Sequence, residues 1–232
     1  AGTFLRSLFA LRHYFTAVAR DGAAEAPFHR LRDHGLAAEA AMLRATGGVN
    51  THRGAIFSLG LLVAASASCR TRLGRAATGE QVCQAVCQWA DAFATSPLDV
   101  NSPGQRARAR HGVPGVREQA AAGYPLLRGL ALPALRHALA AGLPREAALA
   151  HTLMHLVAEV EDLNLLHRGG VAGLRWAQQQ ARGFLDAGGA FAAGWQPRLQ
   201  DIGDAFVARR LSPGGSADLL ACSVFLLLQE QA

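Results

Sequence analysis

The stretch that decides the fold runs Gly47-Gly48-Val49-Asn50-Thr51-His52-Arg53-Gly54 and then Ala55-Ile56-Phe57-Ser58-Leu59-Gly60-Leu61-Leu62-Val63-Ala64-Ala65-Ser66-Ala67. Its second half is a long apolar run with no strand-like alternation, which reads as a buried core helix. Ser58, Gly60 and Ser66 interrupt it, and it falls short of the ~20 apolar residues that a bilayer span requires. Its first half packs Asn, Thr, His and Arg between glycines. A helix that only needed burial would not carry those residues at its entrance. Glycine lets the backbone turn and approach a ligand closely. The unpaired N–H groups of the following helix favour a bound anion at the same spot.

Working outward, helical spacing recurs along most of the chain. Phe4, Leu8, Leu11 and Phe15 form one apolar stripe. Thr78 with Gln81 predicts a capping box, followed by Val82, Val86, Trp89 and Phe93 at spacings of four and three. Leu127, Leu130, Leu135 and Leu139 fit another helix, interrupted or kinked at Pro133. Pro144 suits a first helical position ahead of Leu149, Leu153, Leu156 and Val160. Further helices are expected over about 171–185 and 196–209, and a last one from about Ser216 through Leu219, Leu220, Val224 and Leu227. Loops are expected at 45–49, 96–103, 111–114, 188–194 and 211–215. No solenoid repeat and no Pro/Gly/Ser-rich linker divides the sequence. The expectation is an all-α fold, a single globular multi-helix domain over residues 1–232.

The 232 residues carry a formal net charge of +6, and every one of the 23 basic residues is arginine. The sequence pI is about 10.1. This charge suits an anionic partner and equally an ordinary basic enzyme. The densest basic run, Arg106-Ala107-Arg108-Ala109-Arg110-His111, is short and lacks the aromatic neighbours of a nucleic-acid surface, so no nucleic acid is expected. Cys69, Cys83, Cys87 and Cys222 form no Cys-x-x-Cys pair and read as small apolar residues in a reducing compartment. With no secretory signal and no membrane span visible, a cytoplasmic protein is expected, with no membrane partner and room for a homo-oligomer.

Three polar clusters carry the chemistry. In the first, Asn50 and Thr51 explain themselves as helix caps, but His52 and Arg53 behind them do not. Arg53 is suited to clamp a phosphate and His52 to donate to one or shuttle a proton. The second is Glu161-Asp162-Leu163-Asn164-Leu165-Leu166-His167-Arg168-Gly169-Gly170. Its adjacent carboxylates stand at what reads as a helix C-terminus, where they oppose the dipole unless a cation answers them. They suit a magnesium ion, or one of them suits a general base. The plain alternative is a solvated helix end. Arg168 before Gly169-Gly170 reads as a phosphate contact. The third is Leu211-Ser212-Pro213-Gly214-Gly215-Ser216-Ala217-Asp218, either an ordinary helix start capped by Ser216 or an anion cradle. Neither a Walker loop, a dinucleotide fingerprint nor a Gly-x-Ser-x-Gly elbow is present. His151 and His155 have metal-ligand spacing, but Thr152 stands where a zinc protease needs Glu.

These clusters, in this order, resemble blocks of the triphosphoribosyl-dephospho-coenzyme A synthase family. The similar segments are Gly48 to Phe57, Asn164 to Gly170 and Leu211 to Leu220, with a fourth from His111 to Glu118 that ends in Ala122-Gly123-Tyr124-Pro125. Leu163 stands where the family more often has Thr, and Glu118-Gln119 where it has Gly-Glu. Family members begin with a further segment holding a Lys-Pro-Gly-Leu-Val-Asp-like run and a Gly-Ala-His, which residues 1–232 are expected to lack.

The resemblance implies an enzyme that joins ATP to 3′-dephospho-coenzyme A with release of adenine, making the prosthetic-group precursor of malonate decarboxylase or citrate lyase. Gly48-Val49-Asn50 and Arg210-Leu211-Ser212 lean to the malonate branch. On that reading Glu161, Asp162 and His52 are catalytic, and Glu161 and Asp162 hold Mg2+. Asn50, Thr51, Arg53, Asn164, His167, Arg168, Gly169, Gly170, Ser212, Gly214, Gly215, Ser216 and Asp218 bind substrate. The competing reading is a non-catalytic helical scaffold that binds a nucleotide or a partner protein.

Overall fold

The computed structural model describes residues 2–95 and 103–231. The loop expected over 96–103 lies outside them except for Pro103, as does the side chain of Phe4. The first helices are α1 (Gly2–Ala23), α2 (Phe28–Thr46), α3 (Arg53–Leu73) and α4 (Gly79–Ala85). Next come α5 (Ala90–Thr95), α6 (Pro103–His111), α7 (Val116–Ala121) and α8 (Leu132–Ala140). The last are α9 (Arg145–Glu159), α10 (Leu163–Asp186), α11 (Trp195–Ala208) and α12 (Gly214–Glu230). No strand occurs among the described residues, so the all-α expectation holds. Contacts group the chain into two compact units, residues 1–96, 116–124 and 224–232 in one, 97–115 and 125–223 in the other.

In the first unit α1 packs on both α2 and α3. The buried face of α1 keeps part of the expected stripe: Leu11 is buried and Phe15 packs beside it, whereas Leu8 is exposed and Ser7 and Val18 are buried instead. The reason is polar. Ser7 accepts a hydrogen bond from Thr51 Oγ1 at 3.2 Å and Tyr14 donates to the Ile56 carbonyl at 2.9 Å, so this face satisfies its hydroxyls as it buries them. The end of α1 meets α3 backbone to backbone: a Cβ at Gly22 would lie 2.2 Å from the Ala64 carbonyl oxygen. Helix α3 runs longer than its apolar core suggested. It is long and apolar enough to cross a bilayer, but half of that window is buried inside the protein. Ile56, Leu61, Leu62, Ala64 and Ala65 are core residues. The Thr78–Gln81 capping box is present in both directions. The helix after it does not run through to Phe93. It tightens into a 3-10 turn over Val86–Trp89, and Val82, Val86 and Phe93 are buried as their spacing leads one to expect.

The second unit is built on α9 and α10. Met154, Val157, Leu165, Leu174, Ala177 and Phe184 lie at its centre, with Phe206 and Leu211 against them. Pro133 is absorbed rather than disruptive. A π-turn over Leu127–Ala131 precedes it, and α8 restarts with Pro133 in its first turn, where its missing N–H costs nothing. Pro144 serves as N-cap of α9, one position before the expected site. Helix α10 opens with a short helical stretch from Leu163 that was not expected, and beyond Gly170 it runs to Asp186, in line with the helix expected over about 171–185. It breaks at Gly170 (φ 61, ψ −166), a conformation open in practice only to glycine.

Candidate functional site

The first cluster lies in the first unit. Gly47 closes α2 in a left-handed conformation and Gly48 continues it at φ 87. The N-cap position of α3 is His52, which makes no side-chain cap bond, and Asn50 Oδ1 accepts the Arg53 N–H at 3.0 Å from two residues further back. His52 is 8% exposed and donates its backbone N–H to Met42 Sδ at 3.2 Å. Arg53 Nε lies 3.0 Å from Glu39 Oε2 on α2. The motif is thus anchored to α1 through Thr51 and to α2 through His52 and Arg53, while Asn50 faces solvent.

The second and third clusters both lie in the second unit, and the structure brings them together. Asp162 is not at a helix C-terminus, as the sequence suggested. Helix α9 stops at Glu159, and Asp162 is the N-cap of α10. One oxygen accepts the N–H groups of Asn164 (2.8 Å) and Leu165 (3.3 Å). The other accepts the N–H of Ser216 (2.8 Å) and its hydroxyl (3.0 Å). A single carboxylate therefore caps the entrances of α10 and α12, with the helix dipoles in its favour rather than against it. Close approach explains the glycines. A Cβ at Gly214 would fall 2.3 Å from Asn164 Nδ2, one at Gly215 3.2 Å from the Asp162 carboxyl, and one at Gly169 2.6 Å from Leu211.

This geometry revises several expected roles. Ser216 is fully buried and gives both donors to Asp162, so it ties the starts of α10 and α12 together. The anion at the α12 entrance is the protein's own. Asp162 is 1% exposed and both its oxygens are used twice. Glu161 Oε1 accepts from Arg175 Nη1 at 2.6 Å, and Gln178 ties Arg175 and the Val160 carbonyl into the same network. A magnesium ion asks for several open oxygens in near-octahedral array. The Glu161–Asp162 pair does not fit it. Among the described residues no group of three or more His, Cys, Asp or Glu is placed to hold a metal. His151 Nδ1 takes the Ala190 N–H at 3.4 Å, so its neutral ring carries its proton on Nε2, facing His155 Nε2 at 3.2 Å.

What remains open to a ligand in the second unit is the polar rim. Asn164, His167 and Arg168 are exposed, and Ser212, Gly214 and Asp218 are partly so. Arg168 reaches the Arg210 carbonyl at 3.5 Å. Asp218 is the titratable group that stands apart. Burial, and then the neighbouring charge of Asp162, push its carboxyl up to about 7. It can hold or release a proton at neutral pH.

The first unit also contains a cleft of about 110 Å³ that the sequence reading did not anticipate, lined by Tyr14, Phe28, Glu39, Phe57, Phe93 and others. No local pattern marks it. Its residues come from five helices: Ile56, Phe57, Gly60 and Leu61 belong to the stretch quoted first, Phe93 to the stripe after the capping box and Arg117 to the fourth block, but their spacing in the sequence does not bring them together.

The family profile for ATP:dephospho-CoA triphosphoribosyl transferase matches residues 1–232. Among solved structures, a candidate triphosphoribosyl-dephospho-CoA synthase from Archaeoglobus fulgidus superposes with a TM-score of 0.64 at 16% identity, covering 97% of this chain and 98% of that one. At that identity the likeness speaks for the all-α fold alone.

Proposed function

Because the chain belongs to the ATP:dephospho-CoA triphosphoribosyl transferase family, an enzyme family that moves a triphosphoribosyl group onto dephospho-CoA, we propose the following course for the reaction. The 2′-hydroxyl oxygen of 3′-dephospho-CoA attacks C1′ of the ATP ribose. The C1′–N9 bond breaks, the new C1′–O bond forms, and adenine leaves while the triphosphate stays on the product. The hydroxyl proton is lost and adenine gains one, so no external oxidant, reductant or water is consumed. We further propose that the product serves malonate decarboxylase, on the wording of Gly48-Val49-Asn50 and Arg210-Leu211-Ser212.

The full-length family match carries this reading, and the residues of the site support it. Such a transfer needs position above all, because two nucleotides must meet with C1′ and O2′ in line. Arg168, His167 and Asn164 form an exposed polar row beside the glycine-lined start of α12, suited to phosphate and ribose oxygens. Arg53, His52, Asn50 and Thr51 supply a second polar group at the start of α3. Proton transfer falls to Asp218. Its carboxyl titrates near neutrality, which is the condition for accepting the hydroxyl proton or serving departing adenine. Asp162 is better suited to holding Asn164 and the α12 start in place. Its own oxygens are spent, so it acts through the residues it positions.

The test is adenine release. The purified chain is incubated with ATP and 3′-dephospho-CoA, free adenine is measured by chromatography, and the product mass is read. Adenine formed only when both nucleotides are present supports the reading. Nucleotide binding with no adenine points to the non-catalytic scaffold instead.

A further inference from the structure

Among the described residues, three that are not glycine adopt a left-handed backbone: Glu25 (φ 51), Tyr124 (φ 51) and Arg210 (φ 54). That conformation is uncommon outside glycine and carries a steric cost. For two of the three the side chain has a visible use. Glu25 pairs with Arg72, and Tyr124 is buried. Arg210 is exposed, and its guanidinium makes no hydrogen bond, ion pair or ring contact among the described residues. The turn explains the backbone at this position but not the side chain. Arg210 donates its N–H to the Val207 carbonyl and Leu211 donates to the Phe206 carbonyl, each at 2.9 Å, which is the paired bonding of a Schellman turn at the end of α11. The turn delivers Leu211 to the core, against Gly169. Glycine is the residue for such a position, and it closes α2 at Gly47 and α3 at Gly74. At position 210 an arginine is kept where the backbone disfavours it.

Its neighbour supplies the second observation. The Arg210 carbonyl accepts from Arg168 Nη1 at 3.5 Å, and this is the one contact of the Arg168 guanidinium among the described residues. Neither arginine forms an ion pair among them. The nearby acids are otherwise engaged: Glu161 is paired with Arg175, and both Asp162 oxygens are taken by helix starts. Arg209, the next residue in the chain, is turned onto the Trp176 ring at 4.4 Å, so of the two adjacent arginines only Arg210 is uncommitted. Two unneutralised guanidinium groups, one of them resting on the backbone of the other's residue, favour an anion that bridges them. Each presents a planar fork that matches phosphate, and two forks suit a chain of phosphates better than a single one. We propose that Arg210 is a second phosphate-binding arginine of the rim, acting with Arg168 to hold the polyphosphate chain of one of the two nucleotide substrates. The identity of the nucleotides rests on the transferase reading; the placing of the two arginines on one turn does not.

The experiment uses the full chain with inorganic tripolyphosphate as probe, titrated calorimetrically in chelator at low salt. The parent binds it. Arg210→Gly keeps the left-handed turn and removes the guanidinium, and it binds at least about tenfold more weakly. Its Tm stays level or rises by up to about 4 °C, because glycine relieves the backbone. An arginine that served only the fold would not separate binding from stability in this way. Arg210→Lys keeps the charge without the fork and recovers only part of the affinity. Arg145→Ala removes one positive charge from an exposed position at the start of α9 and binds as the parent does. In the adenine-release assay, Arg210→Gly raises the KM of the nucleotide whose phosphates it holds, ATP or dephospho-CoA, and changes kcat far less. No tripolyphosphate binding at millimolar concentration, an Arg210→Gly that binds as the parent does or melts several degrees lower, or an equal loss in Arg145→Ala overturns the proposal. If the parent releases adenine and Arg210→Gly leaves both KM values unchanged, the phosphate site is wrong and the transferase reading stands. If the parent binds tripolyphosphate in an Arg210-dependent way yet releases no adenine, the site stands and the reaction is wrong.

Discussion

Replacing Asp162 by Asn isolates what the doubly capping carboxylate does. Asp162 accepts four hydrogen bonds, two from the start of α10 and two from Ser216. Asn keeps one acceptor oxygen and turns an NH2 group toward the other pair. The Ser216 hydroxyl can rotate to accept from that NH2, but the Ser216 N–H cannot. It is left buried and facing a donor, at a cost of about 1–3 kcal/mol. The other bonds drop from an ionised acceptor to a neutral one, and two helix starts lose a negative charge that contributes about 0.3–1 kcal/mol each. Against this, removing a buried charge relieves desolvation and the repulsion that Asp218 feels. The net expectation is a loss of about 3 kcal/mol, which for a chain of this size lowers Tm by roughly 6–12 °C.

The assay is thermal unfolding by far-ultraviolet circular dichroism, in chelator, at about pH 6 and about pH 8. Asp218 is protonated at the lower value and ionised at the higher, given a carboxyl near 7. The repulsion relieved by the substitution exists only when both acids are charged. The loss is therefore larger at the lower pH. A melting temperature within a degree or two of the parent at both values would refute the reasoning. So would a loss that appears only when magnesium is supplied, since that is the behaviour of a metal ligand and not of a helix cap.

Asp218→Asn should flatten a slope in stability. The folded carboxyl is raised from 3.8 to about 7, so between those values the native state holds a proton that the unfolded state has released. Stability of the parent accordingly falls as pH rises through that window, by at most about 1.4 kcal/mol per unit, and levels off above it. Denaturant titrations at several pH values show the slope in the parent and its absence in the variant, which also loses adenine release near neutrality. Arg168→Ala, at an exposed position, should leave Tm unchanged and reduce adenine release at least about tenfold; an unchanged rate removes the phosphate role. Gly22→Ala should cost about 3 kcal/mol or more, because its Cβ would lie 2.2 Å from rigid α3 backbone. Gly214→Ala should cost far less, because the atom it meets is the end of an exposed Asn164 side chain that can swing away. Denaturant midpoints compare the two.

The contrast between those glycines shows where the sequence was legible and where it was not. Local rules were readable. The Thr78–Gln81 box, the Gly47 turn, the all-helical class and the clustering of polar residues at helix starts each depend on a few neighbours in the chain. What failed depends on partners far away. Two adjacent acids after an apolar helix look like an unfavourable C-terminus until α10 is seen to begin at Leu163 and Ser216 to close on Asp162 from 54 residues later. The first stripe was right at Leu11 and Phe15 and missed Ser7 for the same reason: Ser7 is buried where Thr51 meets it, and hydrophobicity alone assigns that position to water. The cleft was invisible because its lining is gathered from five helices, with the Tyr14 hydroxyl seated on α3 only where Gly60 lacks a Cβ. The motifs were therefore real signals, and part of what they report is packing. Gly214, Gly215 and Gly169 serve first to let α10, α12 and Leu211 approach one another, and Asp162 serves first to lock them there. On the function we propose, the chemistry falls to the groups this lock leaves presented, Asn164, His167, Arg168 and Asp218. That assignment predicts that rates will follow the rim residues while stability follows the lock.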